Sequence, residues 1–103
     1  MLLGRILGTV VSTRKEPRLE GFKFFVVGEV DARGELCGKT FVGVDICGAG
    51  VGEMVLFAQG SSARQSEQTD ERPVDCAIIA VVDTVSQNGD VTWQKYGDAE
   101  AGS

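Results

Sequence analysis

Apolar residues recur along the chain in short β-branched runs, separated by polar stretches bearing glycine, proline or asparagine. That is the pattern of strands and turns. Residues 2–13 predict a first strand, with Thr9, Val10 and Val11 suited to a pleated surface. Gly4 and Gly8 inside it predict a bend, a bulge or a close backbone approach, as small barrels require. Residues 14–21 are polar, hold Pro17 and read as a loop. Residues 22–31 predict the second strand. Its even positions carry Phe22, Phe24, Val26 and Val30, and its odd positions carry Phe25 and Val27 beside Lys23 and Glu29. A half-buried strand alternates cleanly. The apolar surplus on the second face therefore needs something to cover it, and a partner subunit is one candidate.

Residues 32–39 read as a turn region, 40–46 as a third strand and 53–59 as a fourth. Residues 61–68 predict the one helix, with Ser62 as its cap and Gln65 at the matching capping-box position. At two turns it is marginal alone and must be docked. Residues 69–73 return the chain. Residues 74–85 predict the fifth and most apolar strand, Asn88-Gly89 a type I′ hairpin, and 91–96 a short sixth strand. The sum is all-β: a small OB-like barrel of five to six strands with one short helix plugging an end. It forms a single domain over residues 1–96, followed by a flexible acidic tail at 97–103.

The chain has 103 residues, which suits one domain. Its net charge of −5 opposes tight sequence-independent binding to nucleic acid. Histidine is absent, which excludes His-containing zinc sites and Ser-His-Asp or Cys-His catalysis. Cys37, Cys47 and Cys76 form no C-x-x-C, and each reads as a small core or loop residue. The longest apolar run, residues 76–82, falls far short of the ~20 residues that span a bilayer. Met1-Leu2-Leu3-Gly4-Arg5 begins at once in strand-like sequence, without a basic region or cleavage site. The expectation is a cytoplasmic protein with reduced thiols, no membrane partner and no cofactor.

Two segments imitate nucleotide-binding motifs and fail on spacing. Gly34-Glu35-Leu36-Cys37-Gly38-Lys39-Thr40 is one residue short of a P-loop, and a strand follows where a helix is required. Gly48-Ala49-Gly50-Val51-Gly52-Glu53 has the wrong glycine spacing for a dinucleotide fingerprint and also leads into a strand. Its alternate glycines suit a tight loop, or a loop packed against symmetry mates or lining a narrow opening. Asp45 and Glu53 flank it without a nucleophile, so capping or interface roles fit them better than acid/base catalysis. No ligand spacing supports a metal at Asp45, Glu53 and Asp75. Arg14, Lys15, Arg18 and Lys23 lie beside Phe22, Phe24 and Phe25, a combination that holds single-stranded nucleic acid on OB folds. Glu16 and Glu20 interrupt that cluster, and the default is a solvated or partner-facing loop.

These residues carry a resemblance. Gly8-Thr9-Val10-Val11 with Thr13 and Lys15, Leu19-x-Gly21-x-Lys23, and Val44-Asp45 followed by the hexapeptide from Gly48 to Glu53 form one part of it. Gly60-Ser61-Ser62-Ala63-Arg64 and Pro73-Val74-Asp75-x-Ala77-Ile78, leading to Val82-Asp83, complete it. In this order the chain resembles the pentameric vertex proteins of bacterial microcompartment shells, the family of the carboxysome and ethanolamine-utilisation vertex proteins. The resemblance implies a non-enzymatic OB-like barrel that closes into a homopentamer and caps corners of a shell tiled by hexamers. It places Gly48, Ala49, Gly50, Val51, Gly52 and Glu53 near the fivefold axis. Arg64 on the predicted helix becomes an interface residue, with Asp75 or Asp83 as its partner. Arg14, Lys15 and Arg18 face neighbouring hexamers at the rim. The alternative from a different class is an OB-type module binding nucleic acid or a small ligand.

Overall fold

The computed structural model describes residues 1–12, 16–70 and 74–95. The strands are β1 (Leu2–Val10), β2 (Lys23–Val30), β3 (Leu36–Asp45), β4 (Met54–Gln59), β5 (Cys76–Val81), β6 (Thr84–Gln87) and β7 (Asp90–Gln94). β1, β2, β3, β5 and β4 close in that order into a barrel, and β6 and β7 form a separate two-stranded sheet. Every barrel pairing is antiparallel except β3 with β5, which are parallel and meet only at Val44↔Ala77 and Asp45↔Ile78. The all-β barrel expected from the sequence is therefore present.

The two glycines of β1 do different work. Gly4 sits where β1 pairs with both β2 and β4. A Cβ there would lie 2.7 Å from Phe57 Cε1 and 2.7 Å from Val27 Cγ1, so the interior ring needs the missing side chain. Gly8 follows the register shift at Leu7, the bulge that bends β1 around the barrel.

Two cores result. Ile6, Phe25, Val27, Val55, Phe57 and Ile78 fill the barrel with Ala49 and Cys76. Phe57 is fully buried, its ring centroid 5.4 Å from that of Phe41. Outside the barrel wall, Val44, Ala63, Val74 and Ala77 form a second cluster, with Leu19, Phe22, Phe24 and Ile79 packed on it. This cluster answers half of the two-faced apolar pattern of β2. Phe25 and Val27 point inward, while Phe24 is covered by the chain's own loop at Leu19–Phe22 and by the segment carrying Ala63.

Several elements differ from the sequence-based expectation. The predicted helix at 61–68 is a single 3-10 turn, Gly60–Arg64, and Ser62 does not cap it; the capping position is Gln59, with no side-chain bond. A second turn follows, in which Ser66 Oγ lies 2.6 Å from Thr69 Oγ1 and accepts from Thr69 N–H at 3.1 Å. These hydroxyls compete for the backbone bonds that would have extended a helix, and Ala63 is the turn's buried anchor. The third strand begins at Leu36, not residue 40. Asp31 Oδ1 accepts from Arg33 N–H at 2.8 Å and Glu35 N–H at 3.1 Å, and Gly34 takes φ +83, so the turn closes within five residues. The predicted fifth strand splits at Val82, whose N–H donates to Met54 carbonyl at 2.8 Å; β6 then leaves the barrel to pair with β7. Asn88 (φ 56) and Gly89 (φ 84) make the expected turn of that hairpin.

Candidate functional site

The glycine loop between β3 and β4 is built by two carboxylates at its ends. Asp45, the last residue of β3, accepts through Oδ1 from Cys47 N–H and Ala49 N–H, both at 3.2 Å. Glu53, just before β4, accepts through Oε1 from Gly50 N–H at 2.6 Å. Gly48 (φ +80) and Gly52 (φ +91) occupy the left-handed region, where a side chain would be strained. Ala49 is the loop's buried contact with the barrel core, and Val51 is 58% exposed at its tip. Gly52 N–H donates to Ile6 carbonyl at 2.8 Å, and Ile6 N–H donates to Glu53 carbonyl at 3.0 Å, which fastens the loop to β1. The result is a side-chain-poor loop pinned at both ends by hydrogen bonds.

Lys95 is the residue that sequence reading missed. It follows β7, and its Nζ lies 3.1 Å from Glu53 Oε2 and 3.8 Å from Asp83 Oδ1. The ammonium offsets the Glu53 carboxylate that holds Gly50. No sequence signal joins positions 53 and 95; only the return of the β6–β7 hairpin brings them together. Thr92 Oγ1 donates to Ala32 carbonyl at 2.5 Å, and Trp93 stacks over Gly34, where a Cβ would meet Trp93 Cδ1 at 2.6 Å.

Arg64 does not meet either proposed carboxylate within the chain. Its Nη1 donates to Val74 carbonyl at 2.8 Å, one residue before Asp75, while Asp83 faces Lys95. Arg18 pairs with Glu16, Nε to Oε1 at 2.8 Å, next to the Pro17–Leu19 turn that Glu16 caps. Arg14 and Lys15 lie outside the described residues, as does the tail at 97–103. Phe25 belongs to the barrel core, and Phe22 and Phe24 pack on the outer cluster, so these rings are engaged in packing beside the basic stretch.

The thiols are held protonated. Burial, then the Asp45 carboxylate that the thiol contacts at 3.5 Å, pushes Cys47 up to about 11. Burial, then Asp75, does the same to Cys76, also to about 11. Desolvation, then the Glu29 and Asp31 carboxylates, raises Cys37. Among the described residues no three His, Cys, Asp or Glu side chains are grouped to hold a metal ion. Among them, too, no helix is long and apolar enough to cross a membrane.

A small closed barrel with a carboxylate-pinned glycine loop places the chain among compact all-β proteins. The chain belongs to the family described as ethanolamine utilisation protein EutN/carboxysome, which it matches over residues 1–83. It is 45% identical over 95 residues to the carboxysome shell vertex protein CcmL of Synechococcus elongatus, covering 92% of this chain and 96% of that one. To the microcompartment shell vertex protein PduN of Salmonella typhimurium it is 46% identical over 90 residues, covering 84% and 99%. Its fold superposes on CcmL of Gloeobacter violaceus with a TM-score of 0.87 at 41% identity, covering 94% of this chain and 100% of that one. It superposes on GrpN, a pentameric microcompartment shell protein of Rhodospirillum rubrum, with a TM-score of 0.77 at 45% identity, covering 84% and 99%.

Proposed function

We propose that the chain is a structural, non-enzymatic protein that closes into a homopentamer and caps the vertices of a bacterial microcompartment shell otherwise tiled by hexamers. The observation that carries this reading is the likeness to pentameric GrpN over 84% of the chain. A cyclic ring repeats one heterologous interface until it closes. The glycine loop from Gly48 to Glu53 is the segment nearest the fivefold axis in this proposal. Five copies converge there, and the absence of side chains at Gly48, Gly50 and Gly52 lets them approach. Five bare carboxylates would repel one another; the Gly50 N–H and the Lys95 ammonium supply each Glu53 with its own partners. Arg64, beside Asp75, lies at the contact between copies, and Arg14, Lys15 and Arg18 form the rim toward hexamers.

The mass of the purified protein tests the ring. Five chains of 10.9 kDa weigh 54.5 kDa, and a mass of 10.9 kDa at all concentrations would refute it. Gly50→Val then tests the axis. Within one chain a Cβ at Gly50 meets only Glu53 Oε1, at 3.5 Å, an ordinary contact. The variant should therefore fold as the parent does and fail to close the ring. A normal pentamer from it would place the loop away from the axis.

A further inference from the structure

We infer that the β6–β7 hairpin is a strap: it undocks while the barrel stays folded, and undocking takes the Lys95 ammonium away from Glu53 on the glycine loop. The inference concerns contacts within one chain and goes beyond the ring reading.

β5 ends at Val81, and Val82 N–H still donates to Met54 carbonyl at 2.8 Å. Beyond that bond β6 and β7 pair with each other, in a sheet separate from the barrel. Neither strand contributes to either core, and no residue of β6 or β7 is buried. β6 offers one large apolar side chain, Val85, whose register partner is Trp93. A two-stranded hairpin is at best marginally stable alone in water, so this one depends on what fastens it.

Thr92, Trp93 and Lys95 fasten it. Thr92 Oγ1 donates to Ala32 carbonyl at 2.5 Å. The Trp93 ring fills the space over Gly34, where a Cβ would lie 2.6 Å from Cδ1 and 2.9 Å from Nε1. Arg5 Nη2 donates to Gly34 carbonyl at 2.7 Å, which holds that seat from β1. Lys95 Nζ meets Glu53 Oε2 at 3.1 Å, with the two side chains 30% and 28% exposed. Undocking breaks a hydrogen bond, a ring contact and a partly solvated ion pair. Unfolding the barrel exposes Val27, Phe57 and Ile78, all fully buried. Opening energies within a domain follow such differences, so the strap opens first.

Glu53 gives the strap a consequence. Its Oε1 accepts from Gly50 N–H at 2.6 Å while its Oε2 faces Lys95. One carboxylate thus ties the glycine loop to the strap. Docked, the ammonium balances that carboxylate; undocked, the loop carries a negative charge without its cation. The coupling is reciprocal, so removing the Glu53 charge loosens the strap. Salt screens the pair and acts in the same direction. In the ring proposed above the added charge would fall nearest the axis, and that consequence alone rests on the ring reading.

Residue-resolved hydrogen exchange on the wild-type protein, with barrel amides as the internal reference, tests this. The β6–β7 ladder amides should exchange at least ~10-fold faster than those of Val27 and Phe57. Raising salt from about 20 to about 500 mM should speed them about 2–5-fold and leave Val27 and Phe57 unchanged. Lys95→Ala and Glu53→Gln should each speed them about 2–5-fold at low salt and abolish the salt response, with no further gain when combined. Hairpin amides as slow as Val27 and Phe57 would overturn the strap. Fast hairpin exchange that ignores salt would overturn the Lys95–Glu53 link, whether or not the variants fold. The rates are read on a monomer or a pentamer alike, so failure of the ring and failure of the strap are distinguishable.

Discussion

Gly4→Ala is the sharpest test of how this barrel closes. The added methyl would sit 2.7 Å from Phe57 Cε1, 2.9 Å from Phe57 Cδ1 and 2.7 Å from Val27 Cγ1. Comfortable carbon–carbon contact is about 3.5–4.0 Å, so something must retreat by about 1 Å. Phe57 and Val27 are both fully buried, and Phe57 already leans on Phe41, which leaves neither room to move. Overpacking of this kind costs about 1–3 kcal/mol. In a domain of this length that lowers Tm by about 5–20 °C. Gly8→Ala is the control, since a Cβ there has nothing within 4 Å. Thermal unfolding of both variants at one fixed protein concentration measures the difference, because assembly shifts Tm by mass action. Phe57→Leu in the Gly4→Ala background should recover part of the loss, with a coupling of about 0.5–3 kcal/mol. Equal Tm values for Gly4→Ala and Gly8→Ala, or no coupling to position 57, would refute the close-approach account.

Lys95→Ala removes the cation beside Glu53 and should cost about 0.5–1 kcal/mol, with the Gly50 amide resonance moving because its acceptor is freed; an unmoved resonance would show that Lys95 does not steady the loop. Asp31 accepts from the Glu35 and Arg33 amides, which holds its carboxyl below the usual value of 3.8. Its support for the β2–β3 turn is therefore full above that value and lost as pH falls through the lower folded-state value; the Arg33 and Glu35 amide shifts should titrate below pH 3.8, and a midpoint above it would contradict the turn. Cys47, with its thiol at about 11 against an ordinary 9.0, should be alkylated at pH 8 about a hundredfold more slowly than in the urea-unfolded chain, and equal rates would show that neither burial nor the Asp45 contact raises it.

Much of the fold was legible because its signals are local. The β-branched runs, the glycines of β1 and the Asn88-Gly89 turn act over a few residues and appear where expected. The failures have a common cause. Residues 61–68 carry helix-start residues, yet Ser66 and Thr69 bond to each other, and a two-turn helix had too little burial to resist. Residues 74–85 read as one strand because their composition is uniform; only the position of Met54 across the barrel decides that the chain turns at Val82. Asp31's role was invisible beside a turn-like composition extending to residue 39.

The glycine loop shows the same division. Its three alternate glycines, and the flanking Asp45 and Glu53, stood out in the sequence as a side-chain-poor segment with carboxylates at both ends. That Glu53 would grip Gly50 N–H follows from neighbours three residues apart. That Lys95 would balance the charge does not, since 42 positions separate it from Glu53 and no periodicity links them. The same holds for the apolar surplus of β2. The alternation along residues 22–30 determined that both faces are apolar, because side chains on a strand point to opposite sides in strict succession. That Phe25 and Val27 turn into the barrel while Phe24 is covered from outside was decided by how the barrel closes and where the Leu19 and Ala63 segments pack. Local propensity sets which face a side chain occupies; what lies against that face depends on residues distant in sequence, and only the closed barrel brings them there.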